Sequence, residues 1–122
     1  MSYEVRLTSQ ARIELYNSAL WWAEHRSSDQ ATKWLEEFET ALQGLDEQPE
    51  KWPLAQENGL VPFEIREMLF GVGRRKTHRA VFRIRKDRVV VYAIRHLAQD
   101  ALTSETFERR RSSWLYRPLL AA

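Results

Sequence analysis

The hydrophobic period of the sequence changes at Pro53, and this change restricts the chain to few folds. Before Pro53 the apolar residues recur every three or four positions, as Trp34, Phe38 and Leu42 do, which is the spacing of a helix with one buried face. After Pro53 apolar and polar residues alternate, which is the period of a half-buried strand. Helical segments followed by a run of strands are typical of α+β domains. The 122 residues are enough for one such domain with its own core.

The amino-terminal half predicts one strand and two helices. Residues 3–7 alternate apolar and polar side chains, and the helical pattern then covers residues 9–25 and 29–46. Pro49 cannot continue the second helix because it lacks a backbone N–H. The candidate amino-terminal caps are hydroxyl or carboxylate side chains at each helix start: Thr8 or Ser9, and Ser28 or Asp29.

The carboxy-terminal half predicts a sheet. Three segments carry the period of strands: residues 63–70, 77–85 and 89–96. The last two are separated by a segment short enough for a hairpin turn, Lys86-Asp87-Arg88. We therefore predict an α+β fold in which a two-helix hairpin packs on an antiparallel sheet, with a carboxy-terminal three-strand meander. The domain should occupy residues 1–103, followed by an extension, residues 104–122, with a short helix at 104–111.

The charge is distributed unevenly along the chain. Residues 1–57 hold five Lys/Arg and eleven Asp/Glu, which gives −6, whereas residues 58–122 hold fourteen and six, which gives +8. Because the basic half also has the period of strands, the positive charges should line one side of the domain. Such a surface favours a polyanion or an acidic protein as partner.

Several classes of site and location are excluded or disfavoured by composition. The chain has no cysteine, which excludes disulfides and thiolate metal sites. No segment approaches the ~20 apolar residues of a membrane span, and the start lacks the pattern of a secretory signal. We therefore expect a cytoplasmic protein that does not enter a membrane. His78 and His96 have no further ligand at a fixed spacing, so we predict no metal and no cofactor.

Three arginines are predicted to share one face of the sheet. Side chains alternate across a strand, and the apolar set on the middle strand must face the helices, which leaves Arg79 on the open side. The same reasoning assigns Arg66 and Arg95 to that side of the neighbouring strands. Arginines that converge in this way can hold a phosphate or stabilise a charged transition state. The alternative is that each arginine is balanced by a nearby carboxylate, such as Glu64, Glu67 or Asp87.

The candidate bases or acids of such a site are His96, His78, Glu57 and Glu64. His96 is the one chosen for the catalytic set. It follows Arg95 directly and titrates near neutral pH. Because side chains alternate along a strand, the His96 side chain should lie on the face opposite to Arg95, unless the strand ends there and the chain turns. His78 is predicted on the helical side, as a hydrogen-bonded structural histidine.

The order of elements and several local phrases resemble the RelE/ParE superfamily of bacterial toxins. The resemblance covers roughly residues 3–100. The phrases that carry it are, in chain order, Val5-Arg6-Leu7-Thr8, Trp34-Leu35, Ala41-Leu42, Ile65-Arg66-Glu67-Met68-Leu69, His78-Arg79-Ala80-Val81-Phe82 and Val89-Val90-Val91-Tyr92-Ala93-Ile94-Arg95-His96.

The resemblance implies the toxin of a type II toxin–antitoxin system, silenced by a cognate antitoxin protein. One branch of the superfamily cuts mRNA on the ribosome, and the other poisons DNA gyrase. We expect the first activity, a metal-independent endoribonuclease. Gyrase inhibition without catalytic chemistry, or an inactive binding module, are the alternatives. By resemblance, Arg79 and Arg66 match recurrent basic positions, and Arg95-His96 matches the Arg-His of many members, so these four are the candidate catalytic residues.

A second group of residues is expected to contact nucleic acid or a partner. Arg74, Arg75 and Lys76 stand where several family nucleases carry lysines, and Arg83 lies on the predicted arginine face. Phe107 stands nearest to a tyrosine that many RelE-like nucleases use; its ring can stack on a base but has no hydroxyl for proton transfer. Acidic residues of the antitoxin are expected to lie near the arginine face.

Overall fold

A computed structural model of the chain describes residues 2–99, 101–111 and 117–118. The first helices are linked to the sheet by two single 3-10 turns, Gly44–Asp46 and Pro49–Lys51. The helices and strands are, in chain order, β1 (Glu4–Leu7), α1 (Ser9–His25), α2 (Ser28–Gln43), β2 (Arg66–Phe70), β3 (His78–Ile84), β4 (Arg88–His96), α3 (Ser104–Arg111) and β5 (Arg117–Pro118). The strands form one sheet in the order β2-β3-β4-β1-β5.

The helical hairpin is confirmed close to its predicted bounds. Thr8 caps α1, since its Oγ1 accepts a hydrogen bond from the Ala11 amide at 3.1 Å. The cap of α2 is Ser27, whose Oγ accepts from the Gln30 amide at 3.1 Å, so the predicted caps Ser28 and Asp29 are wrong by one or two positions.

The meander is confirmed, but the sheet is mixed and not wholly antiparallel. β2 pairs with β3, and β3 with β4, in antiparallel register. β1 pairs with β4 in parallel. β4 is apolar on both sides and therefore suits a central position in the sheet. Its neighbour β1 contributes the buried side chains Val5 and Leu7.

A β-bulge in β4 and the pairing of β2 show that some side chains lie on the opposite face of the sheet from the one predicted. Val81 pairs with Ala93 and Phe82 with Val91, so Tyr92 is an extra residue that reverses the alternation. On β2, Met68 belongs to the core beside the helices, opposite to its predicted side. Strands with apolar residues on both faces give no parity signal, which is why the sequence pattern misassigned them.

The sheet face that the sequence left open is covered. Residues 53–65, which we call the covering loop, and the segment that leads into α3 lie across it. Their buried residues form a second core with β3 and β4, which consists of Ala55, Ile65, Val81, Val90, Tyr92, Ala93, Leu102 and Phe107. The prediction of an open arginine face is therefore wrong, because a sheet with apolar side chains on both faces needs cover on both.

His78 is confirmed as a structural residue in the helix-side core. Only 7% of it is exposed, and its ring lies 5.2 Å from the ring of Trp34 and 5.1 Å from that of His96. Its Nδ1 shares a hydrogen bond of 2.8 Å with the hydroxyl of Thr77. Burial, and secondarily the nearby His96, lower the pKa of His78 from 6.5 to about 4.

We expect His78 to make the protein less stable as the pH falls. The unfolded chain binds a proton near pH 6.5 that the folded chain does not take up until about pH 4, so folding stability decreases as pH falls through this window. Between pH 7 and pH 5 the free energy of unfolding should drop by roughly 2 kcal/mol more in the wild type than in His78→Phe. Urea titrations at both pH values measure this difference, with the exposed His25→Gln as control; equal drops in wild type and His78→Phe would contradict it.

Candidate functional site

Arg79 lies in a buried cluster with two carboxylates. Its Nη1 and Nη2 donate to Oε1 and Oε2 of Glu57 at 2.8 and 2.5 Å, which is a bidentate pair. Nη1 also donates to Oε1 of Glu67 at 3.2 Å. Arg79 is 3% exposed and Glu57 1%. We call these three residues the buried ion cluster.

The covering loop delivers Glu57 to this position through its own backbone. The Ala55 amide donates to the Ile65 carbonyl at 2.8 Å, and the Asn58 amide to the Ala55 carbonyl at 2.9 Å. The Asn58 side chain then accepts from the Ile65 amide at 3.0 Å. These bonds close the loop on itself and turn Glu57 toward the sheet.

Glu57 also holds the segment that follows β4. Its Oε2, which accepts from Arg79, accepts in addition from the Leu102 amide at 2.8 Å. One carboxylate therefore connects three parts of the chain: the covering loop, β3 and the segment that leads into α3. The side chain of Leu102 and, five residues later, that of Phe107 pack in the second core.

The pKa values of Glu57 and Arg79 are shifted toward the charged forms. Burial alone would raise the pKa of Glu57, but the hydrogen bonds from Arg79 and from the Leu102 amide lower it overall. The Glu57 hydrogen bond raises the pKa of Arg79 against the effect of burial. The pair is therefore ionised at neutral pH. Two carboxylates already occupy the guanidinium and give the cluster a net negative charge, so it offers nothing to an incoming phosphate.

The four predicted catalytic residues do not come together. Arg95 is the direct neighbour of Arg79 on the adjoining strand and shares its face. Arg66 is paired with Phe82 on the helix-side face, and its Nη1 donates to the carbonyls of Glu50 and Trp52 at 3.2 and 2.6 Å. The predicted convergence of Arg66 with Arg79 and Arg95 is therefore wrong, because the pairing of β2 reverses its facing.

His96 lies in a cleft of about 560 Å³ between α1 and the ends of β3 and β4. Its Nδ1 accepts from the Ala98 amide at 3.0 Å, which leaves the proton of the neutral ring on Nε2. The cleft is also lined by Trp21, Trp22 and His78, on the face opposite to Arg79. Within residues 2–99, 101–111 and 117–118 no group of three His, Asp or Glu side chains is arranged to bind a metal ion.

The predicted binding residues occupy three different environments. Arg74, Arg75 and Lys76 are exposed on the loop between β2 and β3. The guanidinium of Arg83 lies 3.9 Å from the ring centre of Phe63. Phe107 is fully buried against Tyr92, with the ring centres 5.5 Å apart. The expectation that Phe107 contacts nucleic acid is wrong in this structure, because its ring fills the second core.

Sequence reasoning named Glu67 as a balancing carboxylate, but it named Glu57 only as a candidate base or acid and not as the partner of Arg79. Glu67 was among the carboxylates expected to balance the arginines, because it lies on the strand beside Arg79. Glu57 lies 22 positions before Arg79 in a loop without periodicity. The one available signal was a carboxylate directly before Asn58-Gly59, which is typical of a tight turn.

We expect the buried ion cluster to contribute strongly to stability. Arg79→Met leaves Glu57 charged and buried, and Glu57→Leu leaves the arginine without its bidentate partner. Each should cost ~3–5 kcal/mol, whereas Glu57→Leu combined with Arg79→Met should recover much of that loss, because no unpaired charge remains. Chemical denaturation of the four proteins gives the coupling energy.

The matched control for this cycle is Arg74→Ala, which removes an exposed arginine and should change stability by no more than about 0.5 kcal/mol. A cost below ~1 kcal/mol for Arg79→Met would show that the cluster does not hold the covering loop.

No helix in the described part of the chain has the length and apolar character needed to cross a lipid bilayer. No curated protein matches the chain. The chain is similar to a solved structure described as the chromosomal ParDE TA system from P. aeruginosa, with 15% identity and a TM-score of 0.62. The match covers 78% of this chain and 96% of the other, which supports the α+β fold.

The sequence was also compared with models of protein families. The model of the ParE toxin of the type II toxin–antitoxin system parDE matches residues 5–101, which is most of the chain and nearly the range over which the RelE/ParE resemblance was found. The match includes α1, α2, most of β1, β2 to β4 and the covering loop. The chain therefore belongs to the ParE toxin family.

Proposed function

We propose that this toxin stops growth by binding DNA gyrase and not by cutting mRNA. The observation that carries the proposal is the state of Arg79, which is buried and paired with Glu57 and Glu67. Gyrase inhibition is the activity that the resemblance implies for the ParE-like branch. It requires a binding surface and no catalytic group.

The arrangement of the candidate catalytic residues supports this choice. Cleavage of RNA through its 2′-hydroxyl needs a base, an acid and cations that meet at one phosphate. His96 and Arg66 lie on the helix-side face, and Arg79 lies on the other face beneath the second core. An RNA phosphate at His96 or Arg66 is therefore separated from Arg79 by the sheet.

A direct comparison of the two targets tests the proposal. Purified toxin is incubated with gyrase and supercoiled plasmid and, separately, with ribosomes that translate a defined mRNA. We expect trapped gyrase–DNA breaks and an intact mRNA. Codon-phased cuts in the mRNA without trapped breaks would overturn the proposal and restore the nuclease. Neither effect, with soluble folded protein, would assign the chain to the inactive binding modules.

A matched pair of variants sharpens this comparison. Arg95→Ala and His96→Ala each remove a candidate catalytic group that lies outside the buried ion cluster. A nuclease that used either group would lose ~10²–10³-fold in rate. We expect trapping of gyrase to continue in both variants, measured as linear plasmid after removal of the protein. Loss of trapping in both would show that these groups belong to the active surface.

We further propose that the antitoxin covers an apolar stripe on α1. Ile13, Tyr16 and Leu20 share one side of the helix and are 50%, 39% and 57% exposed. Tyr16 and Leu20 also line a groove of about 350 Å³ against Leu35 of α2. An amphipathic segment that lies in such a groove buries its apolar side chains, as in many helix-in-groove complexes. The toxin of a two-protein system has the antitoxin as the natural occupant.

We expect Leu20→Arg to weaken antitoxin binding by at least tenfold while the toxin stays folded, because a charge would be buried in the groove. The measurement is a titration of the toxin with its cognate antitoxin. Glu37→Arg, an exposed change outside the groove, is the control. Equal affinities for the two variants would exclude the groove as the docking site.

A further inference from the structure

We infer that the two basic loops at the ends of β3 contact the phosphates of duplex DNA. The basic loop comprises residues 71–77 with three cations, and the basic hairpin comprises residues 83–88 with four. The inference rests on the proposed function, in which the toxin meets gyrase while gyrase holds DNA. It adds to that function a direct contact between the toxin and the DNA.

Both segments present excess positive charge to solvent. The basic loop contains Arg74, Arg75 and Lys76, all exposed, and no carboxylate. The basic hairpin has a net charge of +3, since its four cations are opposed by Asp87 alone. Arg85 and Lys86 at its tip are exposed. Clusters of this kind bind phosphates through released counterions, without regard to base sequence.

The two segments are held in shape by backbone contacts. A side chain at Gly71 would collide with the carbonyl of Arg75, so the basic loop folds tightly on itself. The Thr77 amide donates to the Phe70 carbonyl at 2.9 Å and closes the loop at its base. The Arg85 amide donates to the Arg88 carbonyl at 2.7 Å and closes the hairpin. Charges on preorganised loops lose less entropy when they bind.

The distance between the two segments matches a duplex. Lys76 and Arg85 flank β3 and are nine residues apart, which corresponds to about 30 Å along an extended strand. One turn of B-DNA measures about 34 Å. A duplex laid over the covered domain parallel to β3 would therefore bring phosphates about one turn apart to the two segments.

Arg79 is buried and adds no positive charge to the surface between the two segments. Arg79, in the middle of the strand, is paired with Glu57 and Glu67. The positive charge is consequently concentrated at the two ends of β3. Two separate contacts suit a stiff duplex that touches at intervals better than a flexible strand that needs a continuous track.

The aromatic residues favour duplex DNA over single-stranded nucleic acid. Single strands are held by aromatic rings that stack on bases inside a basic groove. Phe107 is buried, and the guanidinium of Arg83 covers one face of Phe63. Tyr16 and Trp21 are exposed on α1. Trp21 lines a cleft with Thr77 of the basic loop, but one face of its ring is already stacked on His25. Near the basic hairpin the described residues therefore offer phosphate contacts without base stacking.

Binding of the toxin alone to a labelled duplex tests the inference. A duplex of about 24 base pairs spans a little over two turns and contains sites for both segments. We expect the affinity to fall steeply with salt. Arg74→Ala/Arg75→Ala and, separately, Arg85→Ala/Lys86→Ala should weaken binding about tenfold and reduce the slope of log K against log salt by about 0.9 per lost phosphate contact.

The control variant loses the same two positive charges, but from the helical hairpin and not from the basic segments. Arg26→Ala/Lys33→Ala removes two exposed cations from the helices and should leave the slope unchanged. Equal losses in all three double variants would mean that net charge alone drives binding, and would overturn the inference. Tighter binding to a single strand of the same sequence, or to an acidic peptide, would overturn it as well.

The two proposals fail in different ways. If the wild type does not bind the duplex but still traps gyrase on plasmid, the DNA contact is wrong and the proposed function stands. If the basic-segment variants lose duplex binding but trap gyrase as well as the wild type does, the DNA contact has no part in the trapped complex. If the wild type binds the duplex and never traps gyrase, the proposed function is wrong.

Discussion

The pairing of Arg79 with Glu57 inside the protein is the interaction on which the second half of the fold depends. Two opposite charges removed from water are tolerated only when their hydrogen bonds are satisfied. Here both Nη atoms of Arg79 donate hydrogen bonds to the Glu57 carboxylate. The same carboxylate binds the Leu102 amide. The covering loop, β3 and the segment that leads into α3 are therefore fixed relative to one another by a single carboxylate, and the second core closes around it.

The covering loop and the segment that leads into α3 make one face of the sheet inaccessible to a ligand. The face on which a nuclease site was expected is filled by Tyr92, Phe107 and their neighbours, and the central arginine serves the fold. The exposed functional groups lie at the ends of the meander and on the outer side of α1. This arrangement agrees with the proposed inhibition by binding and with the proposed antitoxin contact on α1.

The predictions from sequence succeeded where one face of an element is buried and failed where both are. Trp34, Phe38 and Leu42 lie on the single apolar face of α2, and the predicted core positions are the buried ones. β4 is apolar on both faces and carries a bulge at Tyr92. Alternation along the sequence therefore could not assign side chains on the two sides of the bulge to the correct faces. For Phe107 the same ambiguity held, since an aromatic residue on a short polar helix suits either a surface or a core.

The sequence by itself determined the two helices, the meander, the division of charge and the toxin family, because each depends on neighbours in the chain or on residue types alone. Only the tertiary structure decided which arginines are available. Glu57 is 22 positions from Arg79 and meets it only after the covering loop has folded onto the sheet. An arginine in a strand has the same pattern whether it faces solvent or a buried carboxylate. The difference lies in desolvation and pairing, which are properties of the folded surroundings.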